Sequence, residues 1–146
     1  MTETPHTRVG GCLCGKVRFT ANVVPEVQAC HCVQCQRWTG GGPLLTVRVH
    51  ELELSGAQEI HAYHHSTWGE RSVCRTCGTS IYWKMQGRPI SSVAVGLLDE
   101  QTGLTVTEEI FVDYRPAWLK PWPGATQSTE AEQLAQLSAF FEGDGA

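Results

Sequence analysis

Seven of the 146 residues are cysteines, and they fall at three places. Cys12 and Cys14 sit in GGCLCGKVRF, Cys30, Cys32 and Cys35 in CHCVQC, and Cys74 and Cys77 in VCRTCGTSIYW. Thiols at such spacing can act as metal ligands, redox pairs or nucleophiles. The opening residues, MTETPHTRVGG, lack the basic and apolar regions of a signal peptide, so a cytoplasmic, reducing setting is expected. In that setting an odd set of cysteines argues against a disulfide framework and for metal ligation. A thioredoxin-like pair would need C-x-x-C opening a helix within a βαβ unit, whereas these flanks read as strands and turns.

The cysteines sort into a four and a three. Cys12 and Cys14 are two apart on an expected strand, where alternate side chains share a face and both thiolates can reach one ion. Cys74 and Cys77 have the gap of a metal knuckle, and Gly78 can take the positive φ that turns backbone N–H groups toward the sulfurs. Together they would close a tetrahedral structural site that pins two distant hairpins; the plainer alternative is two pairs of small buried hydrophobes. Cys30, Cys32 and Cys35 leave a tetrahedron one ligand short, as sites that keep a position for substrate do. A histidine could complete the set instead, with His61, His64 and His65 as candidates. His31 lies between two ligands and should point away from the ion they share.

The elements that must position these groups are mostly strands. Segments 15–21, 44–49, 59–63, 79–83, 90–95 and 104–112 have strand character, with glycines marking the turns between them. Residues 33–38 read as one short helical turn. Three prolines and two tryptophans in YRPAWLKPWPG, residues 114–124, predict an ordered loop laid over a sheet. Thr129 and Glu132 form a capping-box pattern, followed by Leu134, Leu137 and Phe141 at helical spacing, so a terminal helix is expected to dock on the body. The expected organisation is a flexible N-terminus over residues 1–8, a β domain over 9–124, and a helix with a tail over 125–146.

Composition sets the limits. With 41% hydrophobic and 18% charged residues the chain suits a folded globular domain, and no apolar run approaches a membrane span. Residues 1–88 carry nine Lys or Arg against six Asp or Glu, a balance of +3; residues 89–146 carry two against nine, a balance of −7. Lys16, Arg18, Arg37 and Arg75 stand within four positions of a cysteine and are placed to offset thiolate charge. A pI near 5.8 with no basic run argues against nucleic acid as a partner.

The blocks GGCLCGKVRF, CHCVQCQRWTGG and VCRTCGTSIYW, in this order, with EEIFVDYRPAWL later, resemble the family of glutathione-dependent formaldehyde-activating enzymes, also called the centromere-protein-V domain family. The resemblance covers most of residues 9–122. It implies a mainly β, Mss4-like fold of several small coiled antiparallel sheets with a short C-terminal helix, and two zinc ions. Cys12, Cys14, Cys74 and Cys77 would hold a structural zinc. Cys30, Cys32 and Cys35 would hold a catalytic-type zinc, partly occupied.

The implied activity is that of a carbon–sulfur lyase resembling S-(hydroxymethyl)glutathione synthase, with glutathione or a related small thiol as partner. Arg37 is the candidate for the thiol's carboxylate, and Trp118 and Trp122 for its backbone wall. Residues 36 and 37 are Gln-Arg where the family commonly has a basic pair, which removes one carboxylate contact. The contrasting expectation is a non-catalytic interaction or chaperone-like module of the same fold, with Trp38, Trp68, Trp118 and Trp122 as a partner surface and Trp83 as a core cap.

Overall fold

The computed structural model describes residues 5–144, with side chains described through residue 139. In chain order the elements are β1 (His6–Gly11), β2 (Arg18–Cys30), α1 (Val33–Thr39), β3 (Leu44–Ser55), β4 (Ile60–Tyr63), β5 (Gly69–Cys74), β6 (Ser80–Met85), β7 (Ser92–Ala94), β8 (Thr105–Ile110), β9 (Thr126–Ser128) and α2 (Glu130–Asp144). The protein is mainly β with several sheets and a short C-terminal helix. The chain divides into two compact units, Met1–Val27 with Leu45–Thr105, and Gln28–Leu44 with Val106–Ala146.

In the first unit β1 runs antiparallel to β2, from His6 opposite Val23 to Gly11 opposite Arg18, and β3 runs antiparallel to β7. His6 to Arg8, expected within a flexible N-terminus, are therefore ladder residues; residues 1–4 lie outside the described ones. A separate three-stranded sheet has the order β4-β5-β6. Its central strand, GERSVC, gives no alternating signal because it is buried almost throughout. Glu70 is buried with its charge met: Oε2 accepts from the Tyr82 hydroxyl at 3.0 Å, and Oε1 lies 3.1 Å from His64 Nε2 and 3.7 Å from Lys84 Nζ. Trp83 stacks edge-on against Trp68, centroids 5.4 Å apart.

β2 is longer than its sequence signal suggests. Phe19, Ala21, Val23, Pro25, Val27 and Ala29 are all buried, so one face points inward along its whole length. In β3 the alternation breaks at Glu51, whose φ of 53° marks a local kink.

The second unit holds the end of β2, then α1, β8, β9 and α2. β8 and β9 pair in parallel, Glu108 opposite Thr126 and Ile110 opposite Ser128, where an antiparallel arrangement was expected. The connection between them, residues 111–125, is long enough for the crossover that parallel strands require. The capping box forms as the sequence predicts: Glu132 N donates to Thr129 Oγ1 at 3.2 Å and Thr129 N to Glu132 Oε1 at 2.8 Å. The docking stripe is weaker than expected, since Leu134 is half exposed and Leu137 only part-buried. The Phe141 side chain lies outside the described residues.

Candidate metal centres

Cys12 and Cys14 lie in the turn between β1 and β2 rather than on a strand. The chain turns because Gly15, at φ 82°, sends its N–H back to the Cys12 carbonyl at 3.1 Å. The second knuckle repeats the device: Gly78 takes the expected positive φ, 79°, and its N–H goes to the Cys74 carbonyl at 2.8 Å rather than to a sulfur. These turns belong to one unit, and they bring Cys12, Cys14, Cys74 and Cys77 together, with all four sulfurs within 4.8 Å of one another. Cys14 Sγ lies 3.6 Å from Cys12 Sγ and 3.8 Å from Cys74 Sγ. Two pairs of unrelated buried thiols would not converge on one point.

Thr79, which sequence reasoning did not single out, braces the cluster. Its hydroxyl lies 3.1 Å from Cys77 Sγ and accepts from Leu13 N at 3.1 Å, so one side chain touches both knuckles. The Thr79 hydroxyl and N–H pull the Cys77 thiol down to about 5. Burial pushes Cys12 up, but the Val17 N–H and the neighbouring sulfurs of Cys14 and Cys74 hold it below the usual thiol range. At Cys14 the Lys16 N–H works downward, yet desolvation and the surrounding sulfurs push it up to about 11. Four converging thiols cannot all shed their protons unless a cation joins them.

The three-cysteine cluster lies in the other unit. Cys30 ends β2, Cys32 is the N-cap of α1, and Cys35 is buried one turn later, with all three sulfurs within 4.8 Å. Cys32 Sγ accepts from Cys35 N at 3.3 Å, which fixes the turn that carries both. Cys32 and Cys35 beside it, then burial, push the Cys30 thiol far above the usual range. Three thiolates at this spacing again call for positive charge. Among the described residues no histidine or carboxylate joins either cluster. His31 is fully buried and bonds Glu109, 2.8 Å from Nε2 to Oε1, so it does face away from the sulfurs.

The remaining expected residues are less engaged. Arg37 is exposed in the last turn of α1. Trp118 is 71% exposed, and Trp122 is part-buried with its backbone N held by Glu109 Oε2 at 2.9 Å. Lys16 reaches Thr76 Oγ1 at 3.5 Å, and Arg18 is committed to a two-point pair with Asp99. Glu109 was also missed. Its signal was the adjacent pair Glu108-Glu109 on a strand, where neighbours point to opposite faces and one carboxylate must turn inward.

The glutathione-dependent formaldehyde-activating enzyme family matches residues 7–114, a stretch that contains all seven cysteines. The chain belongs to that family. An uncharacterized lyase of Schizosaccharomyces pombe is 24% identical over 109 residues, covering 73% of this chain and 80% of that protein. A Rhodobacter sphaeroides protein of known crystal structure shares the fold, with a TM-score of 0.52 and 24% identity over 83% of this chain and 99% of that one. Among the described residues no helix is long and apolar enough to cross a membrane.

Proposed function

We propose that the protein is a zinc-dependent enzyme of the carbon–sulfur lyase type, acting in the cytoplasm on the adduct of formaldehyde with a small thiol such as glutathione. The observation that carries this reading is the convergence of Cys30, Cys32 and Cys35 with no fourth protein ligand among the described residues. Sites that leave a position to a small molecule are built this way. Cys12, Cys14, Cys74 and Cys77 hold the structural ion. The donor set fits zinc: a tetrahedron with metal–sulfur bonds of about 2.3 Å has edges of about 3.8 Å, close to the 3.6 and 3.8 Å between the Cys14 sulfur and its neighbours.

When bound at the three-sulfur site, zinc lowers the pKa of an incoming thiol and polarises a carbonyl oxygen. In the synthetic direction the substrate sulfur attacks formaldehyde carbon and a C–S bond forms. The carbonyl π pair moves to oxygen, which takes up the proton the thiol gave away; the lyase direction reverses each change. Arg37 offers a cation to the thiol's carboxylate, and Trp118 and Trp122 an apolar wall to its backbone.

The test is metal content per chain together with NMR-monitored adduct formation from glutathione and formaldehyde. Two zinc ions and a rate above the uncatalysed reaction, lost in Cys32→Ser, are expected. No acceleration by the two-zinc protein would replace the enzyme by a non-catalytic interaction module.

A further inference from the structure

Glu109 is wholly buried, and both of its oxygens are engaged. Oε1 accepts from His31 Nε2 at 2.8 Å and lies 3.8 Å from Arg115 Nε. Oε2 accepts from the Trp122 backbone N at 2.9 Å and from Gln127 Nε2 at 3.1 Å. A carboxylate taken fully out of water is costly and persists only where several donors replace the solvent. Here every partner is a donor. Because a carboxylate only accepts, Nε2 of His31 is the donor in this bond, and the buried Nδ1 has no hydrogen-bond partner.

His31 stands between two of the three sulfurs. The buried face of β2 falls on the odd residues from Phe19 to Ala29, and His31 continues it, with its N–H on the Ile110 carbonyl at 3.0 Å. Neighbours on an extended chain point to opposite sides. Cys32 is still extended, at φ −59° and ψ 155°. Holding His31 inward therefore turns Cys30 and Cys32 together to the other side, and α1 brings Cys35 to them one turn later. Gln36 Nε2 adds a brace by donating to the His31 carbonyl at 2.8 Å and the Tyr114 carbonyl at 3.0 Å.

The geometry points to Glu109 as the positioning residue of the three-sulfur site: one oxygen fixes the sulfur loop through His31, and the other fixes the Pro-Trp loop through Trp122. The inference rests on the metal proposed at Cys30, Cys32 and Cys35. It extends that site to a carboxylate that touches neither sulfur nor substrate, of the kind whose loss elsewhere costs metal affinity.

The deciding variant is Glu109→Gln, whose amide NH2 would face a donor on either side. The full chain is loaded with cadmium and followed by cadmium NMR, which resolves three-sulfur from four-sulfur coordination, with chelator competition for affinity. In the variant the three-sulfur resonance is expected to shift, and that site to lose cadmium about ten- to hundredfold more readily, with the four-sulfur resonance unmoved. A merely stabilising role would lower the melting temperature and leave both resonances in place. Gln127→Ala, at an exposed position, removes one donor to Oε2 and gives a smaller change of the same kind if Glu109→Gln does not fold. Two cadmium ions bound with unchanged resonances and affinities in both variants overturns the positioning role and leaves the proposed function standing. A wild-type chain that takes up one cadmium overturns both. The expected shift in a protein without carbon–sulfur activity upholds the positioning role and sinks only the enzyme.

Discussion

Replacing Cys74 by serine tests the four-sulfur site most directly, because this side chain is fully buried and belongs to the second knuckle. The magnitude follows from chain geometry. Cys14 and Cys74 are 60 positions apart, with sulfurs 3.8 Å from each other, so an ion between them closes a 60-residue loop. By the loop-entropy relation used for cross-links, closing a loop of that length removes about 4 kcal/mol of conformational freedom from the unfolded chain. Total stability for a domain is about 5–15 kcal/mol, so a large share would be lost. For a chain of this size the melting temperature should fall by roughly 8–16 °C. Thermal unfolding by circular dichroism, with zinc measured on the same samples, reads both quantities. A cycle separates the metal from the thiol itself: a strong chelator should destabilise the wild type by a similar amount and the variant hardly further. A Cys74→Ser protein within about 1 kcal/mol of the wild type, or one equally sensitive to chelator, would refute the cross-link.

Other outcomes follow from the same structure. A mild chelator should remove one zinc per chain while the far-ultraviolet dichroism is retained, since the three-sulfur site has fewer ligands; simultaneous loss of both ions with unfolding would count against the assignment. Tyr82→Phe deletes a hydroxyl bonded to the Glu70 carboxylate, which keeps His64 and Lys84, so denaturant titration should show a loss of about 1–2 kcal/mol. Burial pushes the Glu70 carboxyl up, but the Tyr82 hydroxyl, His64 and Lys84 outweigh it and hold it below the usual range. A lowered folded value stabilises above the unfolded value, near 4.3, and that stabilisation fades as pH falls through the folded one. The Tyr82→Phe deficit should therefore shrink toward pH 3, and a pH-independent deficit would contradict the pairing.

The cysteine sorting was legible because a metal site needs ligands at short local gaps, and Cys74-x-x-Cys77-Gly78 spells out both the gap and the positive-φ closure. The terminal capping box was legible for the same local reason. Long-range pairings were not. The segment Gly69–Cys74 was not among the expected strands, because the polar run Glu70-Arg71-Ser72 has no alternation and its burial depends on Tyr82, His64 and Lys84 meeting Glu70. The bond of His31 to Glu109 joins residues 78 positions apart, and neither periodicity nor spacing couples them. Thr79 was hidden by ambiguity, since a threonine beside a knuckle is equally at home as the first residue of a strand. The strand β9 is three residues long, too short for any alternation to register.

The inward face of β2 carries a consequence for how this chain can vary in length. From Phe19 to His31 every odd position is buried, with Val24 the one even position also buried, and the odd positions set a reading frame of two. One inserted or deleted residue anywhere within it would swing His31 out to solvent and drive Cys30 and Cys32 into the apolar side, dismantling a site many residues downstream of the change. Tolerated changes must come in twos, or be absorbed by a bulge. β3 already has a kink at Glu51, where φ is 53°; before it the buried positions are Val47 and Val49, and beyond it the part-buried ones are Leu52 and Leu54. A single insertion is thus far better placed in β3 than in β2, although both strands look equally ordinary as sequence.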